Sequence, residues 1–420
     1  MNAFVVAAPH SGAGKTTITT GLLAALARRG HRVQAYKVGP DYIDPSYHRL
    51  ATGRPSRTLD TWLCPPEVVR TLFWRWAADV NIVEGVMGLF DGGPGGRGST
   101  AEVARLLDLP VVLVVDASRL AQSAGALIHG FATYDPGLRL VGVLFTRVAS
   151  PSHAASLLSA SPVPVLGWVE EDPSLLLPER HLGLVPTTEW RPDLSHLAEA
   201  VTRHVDLDRL LELTRRPAGP ALPPPAPAPP RARIAYAWDE AFSFYYEDNL
   251  DLLRWSGAEL VPVRMLDDRG LPEAGLLYLG GGFPEVYQEA LLANRPMAES
   301  VRSFPGAVYA ECGGLMYLAM LGVIPGRVAM TDRLQHFGYA EATALVDTLL
   351  LRAGETVRGH EFHYSLWEGP ANAYRVRHGP HERVEGYASG RILATYVHVH
   401  LGARPDLATR LVEAARGWAP

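Results

Sequence analysis

A proline-rich segment near the middle of the chain sets the strongest limit on its fold. Residues 217–230 read PAGPALPPPAPAPP. Because proline lacks a backbone N–H and fixes φ, such a run excludes a helix or a central strand and favours an extended tether. The chain has 420 residues, more than one ordinary core accommodates. We therefore predict one domain over residues 1–216, a linker over 217–231 and a second domain over 232–420.

Composition and charge are those of a soluble globular protein. The formal net charge of −5 provides no basic surface for nucleic acid or an anionic membrane. No apolar run reaches the length of a membrane span, and the N-terminus lacks the charged region and cleavage site of a signal peptide. Two cysteines, Cys64 and Cys312, cannot build a disulfide framework. We expect a cytoplasmic protein without nucleic-acid or membrane partners.

Short valine-rich runs alternate with helix-like stretches on both sides of the linker. Before the linker, strands are predicted over Phe4–Ala8, Val33–Val38, Val80–Val83, Val111–Val115 and Val141–Phe145. Continuous apolar runs suit strands that are buried on both faces, and their alternation with helices predicts a doubly wound parallel sheet. After the linker, strands are predicted over Arg233–Ala237, Glu259–Val263, Leu276–Leu279 and Val308–Glu311. The sequence therefore predicts two α/β domains.

A glycine-rich loop follows the first predicted strand and precedes a predicted helix. In such a loop the glycines let backbone N–H groups converge on phosphate oxygens, and the helix presents its positive end to the same anion. Lysine adds a charge at the outer phosphates, and threonine offers a hydroxyl to Mg²⁺. Pro9 stands where the full pattern has its first glycine, and a plain glycine-rich turn is the alternative interpretation. The predicted ATP-binding residues are Gly12, Gly14, Lys15, Thr16 and Thr17.

Acidic side chains follow the second and third long strands. Because the carboxyl ends of parallel strands meet at one edge of a sheet, we expect them beside the phosphate loop. Mg²⁺ usually takes one or two protein carboxylates, and Glu84, which ends an apolar strand, is the first candidate. Lys37 is a candidate for neutralising a transferred phosphoryl group. A turn or helix-cap role is the alternative for each carboxylate, as it is for Asp116. The four carboxylates are Asp41, Asp44, Glu84 and Asp91.

The second domain carries a candidate nucleophile, Cys312, within the sequence AECGGLMYL. The adjacent Gly313 and Gly314 permit the sharp bend that lifts a nucleophile above the edge of a sheet. Cys64 has no such neighbours and is expected to be structural. The sequence therefore predicts thiol chemistry at Cys312.

Histidines near the C-terminus are candidates for the base that activates this thiol. His398 is predicted at the end of a strand over Ile392–Val397. His400 lies on the same face of that strand and is an alternative base or an orienting partner. The loop LGGGFPE at 279–285 is a candidate oxyanion hole, with a plain flexible loop as the alternative. The segment GHEFHYS at 359–365 is interpreted as facing the substrate.

The chain resembles the cobyrinic acid a,c-diamide synthase family, also known as hydrogenobyrinic acid a,c-diamide synthase in the aerobic route to cobalamin. The resemblance implies a P-loop domain like dethiobiotin synthetase, followed by a class I glutamine amidotransferase domain. It covers essentially the whole chain. Seven ordered motifs carry it: SGAGKTT, KVGPDYIDP, VEGVMGLFDG, LGGGFPE, AECGGLMYL, GHEFHYS and YVHVH.

This resemblance also implies a mechanism. Glutamine would be hydrolysed at Cys312 with the help of His398, and the ammonia would pass to the first domain. There ATP would convert the a and c acetate groups of a corrin into acyl phosphates, which ammonia attacks. The family's phosphate and Mg²⁺ positions fall on Lys15, Thr16 and Glu84. The positions predicted to face the substrate are Asp41, Asp44 and Asp91.

Many class I amidotransferases carry a glutamate two residues after the catalytic histidine. His400 occupies that place in this sequence, as is common in the family, so the third member of the site is left unassigned. The predicted partners are ATP, glutamine and a corrinoid, with or without cobalt. The sequence leaves a homodimer open.

Other functions are consistent with parts of the sequence. A diamide synthase for another tetrapyrrole, such as nickel sirohydrochlorin, is the nearest alternative, and cobyric acid synthase fits less well in motifs and length. A nucleotide-switched partitioning ATPase shares the P-loop sheet but has no use for Cys312 and His398. A stand-alone glutaminase conflicts with the intact pair Lys15-Thr16. The ATP- and glutamine-dependent ligase is therefore the leading hypothesis.

Overall fold

A computed structural model describes residues 1–172, 175, 177–180, 183–220 and 222–417. They divide into two compact units, Met1–Pro224 and Pro225–Pro420, and the division falls within the segment predicted to be the linker. Within the described ranges, no helix is long and apolar enough to cross a bilayer. Parts of the three predicted segments lie outside the described residues: 173, 174, 176, 181 and 182 of the first domain, 221 of the linker and 418–420 of the second domain.

The first unit is built from nine strands and eight helices in its described residues. The strands are β1 Asn2–Ala7, β2 Val33–Val38, β3 Arg57–Leu59, β4 Val80–Glu84, β5 Val111–Asp116, β6 Leu140–Val148, β7 Val165–Glu170, β8 Glu179–Arg180 and β9 Gly183–Leu184. The helices are α1 Lys15–Arg28, α2 Asp44–Thr52, α3 Pro66–Trp76, α4 Thr100–Leu107, α5 Ser123–Thr133, α6 Pro151–Ala160, α7 Ser195–His204 and α8 Leu207–Leu213.

Seven strands of this unit form one parallel sheet in the order β3-β2-β4-β1-β5-β6-β7. The strands β2 and β4 are buried throughout, and β1 is buried from Ala3 onward, as their continuous apolar runs predict. Because the order reverses beside β1, the loops after β1, β2 and β4 open at one edge of the sheet. That edge carries the phosphate loop and the acidic segments.

The second unit contains fifteen strands and five helices in its described residues. The strands are β10 Ala232–Ala237, β11 Phe242–Phe244, β12 Ala258–Val263, β13 Leu276–Leu279, β14 Gly281–Gly282, β15 Ala307–Glu311, β16 Arg327–Met330, β17 His336–Ala344, β18 Thr356–His363, β19 Ser365–Glu368, β20 Tyr374–His378, β21 His381–Glu385, β22 Tyr387–Ser389, β23 Ile392–Thr395 and β24 His398–Val399. The helices are α9 Glu247–Trp255, α10 Gln288–Ala293, α11 Arg295–Arg302, α12 Gly313–Met320 and α13 Asp406–Arg416.

A six-stranded sheet in the order β12-β10-β13-β15-β23-β22 forms the centre of the second unit. Its strands are parallel except for β22, which pairs with β23 in the antiparallel direction. A second, antiparallel sheet has the order β21-β20-β17-β18-β24. The sequence did not predict this second sheet, whose strands alternate apolar and charged residues.

One predicted strand ends earlier than expected. The strand predicted over Ile392–Val397 stops at Thr395, and His398 begins β24 in the antiparallel sheet, opposite His360. The prediction that His398 ends a strand over Ile392–Val397 is therefore wrong. The backbone N–H of Tyr396 donates to the carboxylate of Glu385 instead of continuing the ladder, so the chain leaves one sheet for the other.

Candidate active sites in the two units

The loop after β1 has the backbone of a phosphate cradle. Gly12 and Gly14 have φ values of 79° and 89°, a region that suits glycine, and α1 begins at Lys15. The Lys15 ammonium donates to the carbonyl of Met87 at 2.5 Å. Burial, together with the charge of Lys37, lowers the pKa of Lys15 to about 8. A phosphate anion at this loop would favour the charged form of Lys15.

The carboxylate of Glu84, at the end of β4, is the centre of a buried polar cluster. Its Oε1 accepts hydrogen bonds from the Thr16 hydroxyl at 2.7 Å and from Lys37 Nζ at 3.2 Å. Its Oε2 lies 2.7 Å from Nε2 of His48. Asp44 joins the cluster, 2.7 Å from Lys37 Nζ. The first unit thus gathers one cation, two carboxylates, a hydroxyl and an imidazole beside the phosphate loop.

Charge keeps two members of this cluster, Lys37 and Glu84, ionised in spite of their burial, whereas burial and the charge of Asp41 raise the pKa of Asp44. Burial favours the neutral form of Lys37, but Asp44, Glu84 and Asp41 together raise the pKa of that lysine. Burial likewise opposes the charge of Glu84, yet Lys37 and His48 lower the pKa of its carboxyl. The buried lysine and the buried glutamate therefore stabilise each other as ions.

A cavity of about 450 Å³ opens above this cluster. Asp91 does not line it, because its carboxylate accepts a hydrogen bond from the N–H of Gly88 at 2.9 Å and closes a turn. These contacts of Asp91 are those of a turn residue, the alternative role given for it in the sequence analysis. The other residues predicted for this site all line the cavity: Gly12, Gly14, Lys15, Thr16, Thr17, Lys37, Asp41, Asp44 and Glu84.

Two residues of this site were not predicted from the sequence. His48 lies one helical turn after Asp44 on α2, a spacing that places both on one helix face. Arg147, near the end of β6, has a φ of 54° and also lines the cavity. Its guanidinium pairs with Asp116 and donates to the carbonyl of Gly12 at 3.0 Å. A basic residue close to the end of a buried strand was the available signal.

In the second unit, Cys312 occupies the turn between β15 and α12. Its φ of 48° and ψ of −102° lie outside the usual range for a residue with a β-carbon. The two following glycines allow this turn to pack closely. A β-carbon on Gly314 would lie 2.4 Å from the carbonyl oxygen of Leu279, and one on Gly313 would lie 3.1 Å from the N of Gly282. The candidate oxyanion loop therefore lies directly against the nucleophile turn.

The imidazole of His398 faces this turn. It stacks on the ring of His360 at 4.9 Å between centroids, and Gly281 leaves room for its Cε1. Burial lowers the pKa of His398, but hydrogen bonds to Cys312 and Glu311 outweigh burial and raise it to about 10. The imidazole is therefore an imidazolium at neutral pH, the state that stabilises a neighbouring thiolate.

The segment GHEFHYS at 359–365 lies behind this pair. The ring of His363 stacks on Tyr396 at 3.8 Å, and the Ser365 hydroxyl lies 2.9 Å from the Tyr396 hydroxyl. Glu361 is fully buried and pairs with His378 and Arg383. The motif thus forms a buried polar layer, which supports Tyr396 next to the thiol.

Comparisons with known proteins match both halves of the chain. Residues 4–185 match the CobQ/CobB/MinD/ParA nucleotide binding domain, and residues 233–406 match the CobB/CobQ-like glutamine amidotransferase domain. A cobyrinate a,c-diamide synthase of Listeria monocytogenes serotype 4b is 43% identical, with 95% of this chain and 96% of that protein covered. The chain belongs to the cobyrinate a,c-diamide synthase family.

Relatives from distant bacteria support the same assignment. A hydrogenobyrinate a,c-diamide synthase of Streptomyces coelicolor is 44% identical over 98% of this chain and 97% of that protein. A cobyrinate a,c-diamide synthase of Salmonella typhimurium is 42% identical over 99% and 98% of the two chains. The predicted family, the predicted α/β folds and the predicted class, a glutamine-dependent carbon–nitrogen ligase, are confirmed.

Proposed function

We propose that this protein amidates the a and c carboxylates of cobyrinate or hydrogenobyrinate in cobalamin biosynthesis, with glutamine as nitrogen donor and ATP as cosubstrate. The observation that carries the proposal is the presence of two complete polar sites in one chain. The first unit has a phosphate loop beside buried carboxylates, and the second has a cysteine beside a charged histidine. The two sites are complementary, because the first would activate an acid and the second would release the ammonia that attacks it.

The second unit would release ammonia from glutamine. The Cys312 thiolate attacks the carboxamide carbon and forms a tetrahedral oxyanion, towards which the N–H groups of the loop at 279–285 can donate. His398 gives its proton to the departing nitrogen, and a thioester remains. Water then hydrolyses the thioester to glutamate and regenerates the thiol. The raised pKa of His398 suits this role, since the histidine carries its proton before the reaction begins.

The first unit would activate the corrinoid acid. A carboxylate oxygen of the substrate attacks the γ-phosphorus of ATP, ADP leaves, and an acyl phosphate forms. Ammonia then attacks the acyl carbon, and inorganic phosphate leaves with the electron pair of the broken C–O bond. Lys15 and Lys37 neutralise negative charge on the phosphoryl group, which is the main catalytic demand in phosphoryl transfer. We assign Asp41 and Asp44 to the side of the cavity that the substrate acid enters.

The oxygen atoms beside the phosphate loop fit a magnesium ion. The Thr16 hydroxyl and the Glu84 carboxylate are hard donors that lie 2.7 Å apart. Among the described residues, no group of three or more His, Cys, Asp or Glu side chains forms a metal centre of protein ligands alone. Thr16 and Glu84 would therefore hold Mg²⁺ together with nucleotide phosphates. Such an ion would neutralise charge on those phosphates.

Two variants test the division of labour between the units. We expect Cys312→Ser to reduce glutamine-dependent amidation by about 1,000-fold or more, since the nucleophile is lost, while amidation with ammonium chloride continues. Lys15→Ala should reduce amidation with either nitrogen source by about 100-fold or more, because phosphate charge is no longer neutralised, while glutamine hydrolysis continues. Mass spectrometry of the corrinoid detects the product as two replacements of acid by amide.

Cys64→Ser is the matched control, because Cys64 is also buried but does not line the cavity of the first unit. It should leave both activities near the wild-type level. Equal loss of the glutamine and ammonia reactions in Cys312→Ser would contradict two separate sites. Parallel reactions with cobyrinate, hydrogenobyrinate and nickel sirohydrochlorin identify the macrocycle, and diamide formation on the last alone would contradict the proposed substrate.

A further inference from the structure

Glu311 is a buried carboxylate that directly precedes the nucleophile. It ends β15 and is 2% exposed. A carboxylate in such a place is costly unless hydrogen bonds satisfy its oxygens. The glutaminase reaction described above does not use it, so its role needs a separate explanation.

Both carboxylate oxygens of Glu311 have partners. Oε1 accepts hydrogen bonds from the hydroxyl of Tyr309 and from the backbone N–H of Val399 at 3.3 Å. Oε2 accepts one from the hydroxyl of Tyr278 at 3.0 Å and lies 3.8 Å from Nδ1 of His398. The carboxylate is thus fixed in position by neutral donors, and the one cationic neighbour it faces in these contacts is the imidazolium of His398.

His400, the residue that occupies the usual place of the third member, lies in a different environment. Its Nε2 is 3.7 Å from Asp248, and its ring lies 4.8 Å from the ring of Tyr246. Its Nδ1 accepts the backbone N–H of Gly402. These contacts place one nitrogen of His400 beside Asp248 of α9 and the other at the turn after β24.

We propose that Glu311 is the positioning residue of the thiol site, which orients the His398 imidazole and stabilises its charged form while Cys312 is a thiolate. The inference rests on the proposed glutamine hydrolysis. Glu311 precedes the nucleophile in sequence, whereas many class I amidotransferases place their glutamate after the histidine. The carboxylate nevertheless reaches the imidazole, because the N–H of Val399 on β24, next to His398, donates to Glu311 at the end of β15.

The groups around His398 favour this role for Glu311. Cys312 and Glu311 contribute negative charge, and the titratable ring of His360 stacks against the imidazole. Burial and the charge of His398 lower the pKa of His360, so this ring is neutral and adds no positive charge. Glu311 is therefore the fixed anion that can keep His398 protonated when the thiolate is consumed by attack on glutamine.

Glu311→Gln tests the inference, because it removes the charge and keeps the shape. We expect the kcat of glutamine hydrolysis to fall about 100-fold, while the KM for glutamine changes little. The alkaline limb of the pH profile should move from near pH 10 to a lower pH by about one pH unit or more. Glu311→Asp keeps a carboxylate but places it farther from His398. Its alkaline limb should lie between those of the wild type and Glu311→Gln. Ammonia-dependent amidation, measured on the same samples, should be unchanged and reports correct folding.

Asp248→Asn is the matched control, since it neutralises a buried carboxylate beside His400 instead of His398. This variant should retain the wild-type rate of glutamine hydrolysis, and the alkaline limb of its pH profile should stay at the wild-type pH. A Glu311→Gln protein whose alkaline limb stays in place would overturn the inference, even if its rate falls, because a purely structural role predicts that result. Failure of the wild-type protein to hydrolyse glutamine at all would overturn the proposed function, and this inference with it.

Discussion

Lys37 carries an ammonium group inside the protein, and its charge is retained there because three carboxylates surround it. Its Nζ lies 2.7 Å from Asp44, 3.2 Å from Glu84 and 3.8 Å from Asp41. Removing one member of a buried set of ions leaves the others without compensation, which costs more than the intact set contributes. The opposite charges of this cluster therefore stabilise one another, and the loss of one residue destabilises the others.

Lys37→Met should lower the free energy of unfolding by about 3–5 kcal/mol at pH 7, measured by urea denaturation. Burial raises the pKa of Glu84, but Lys37 and His48 lower it below its ordinary 4.5, so the stabilisation exists above that pH and is lost as the pH falls. The difference between variant and wild type should therefore narrow below pH 4.5. Arg29→Met removes an exposed pair with Asp208 and should change stability little, whereas equal losses in both variants would contradict this account.

The sequence predicted some of these residues and missed others for identifiable reasons. Lys37 and Glu84 could be found because a polar residue ends or nearly ends an apolar strand. Glu311 ends a strand in the same way, but its partners Tyr278 and Tyr309 are indistinguishable from core aromatics until the fold places their hydroxyls around it. The role of His400 could not be resolved from the sequence. The expectation that His398 and His400 share one face requires a strand that includes both residues, whereas β24 ends at Val399.

Among the elements, the loop from Leu279 to Glu285 shows how closely backbone and catalytic side chain are fitted. Gly281 lies against the imidazole of His398, and a β-carbon there would come within 2.7 Å of Cε1. Because β14 is also paired with β11, the loop cannot simply move aside. The close contact with Gly281 therefore fixes the position of the His398 imidazole.

Gly281→Ala should displace the His398 ring and reduce glutamine hydrolysis by about 100-fold, because small misplacements of catalytic groups are costly. Ammonia-dependent amidation should remain, since the first unit is unchanged. Gly270→Ala is the control in the same unit, where the nearest atom to the added carbon lies at an ordinary 3.5 Å. Wild-type hydrolysis by the Gly281→Ala protein would show that the loop does not position the His398 imidazole.

At the same scale, the two sheets differ in how well the sequence predicts them. The parallel strands could be predicted because both faces are buried, which requires uninterrupted apolar residues such as those of β5 and β15. The antiparallel sheet could not, because strands such as β18 carry histidine, glutamate and arginine among apolar residues. Those polar side chains are satisfied by partners that are distant in sequence, so no local pattern reveals them.

The whole molecule consists of two units that each have a sheet and a buried core of their own. Phe4, Ile82 and Val114 belong to the core of the first unit, and Leu277, Val308 and Leu315 belong to that of the second. Among the residues that the structure describes, neither cluster includes one from the other side of the proline-rich segment. Each unit therefore has the properties of a domain, and we propose that residues 1–216 and 232–420 form the two catalytic halves.

Expressing Met1–Pro224 and Pro225–Pro420 as separate chains tests this organisation. Each should unfold in one cooperative transition, followed by circular dichroism, and the second should hydrolyse glutamine on its own. A cut after Gly270 serves as the control, because it separates β10 and β12 from β13 within one sheet and should abolish the transition. The absence of a cooperative transition in either intact unit would contradict the domain assignment.

The turn at Cys312 has a consequence for how this enzyme can change over time. A backbone with φ of 48° costs a residue bearing a β-carbon roughly 1–3 kcal/mol, a penalty that glycine escapes. A glycine at this position would relieve that backbone penalty but would remove the sulfur that attacks glutamine. The backbone at Cys312 is therefore a point where robustness and reactivity compete.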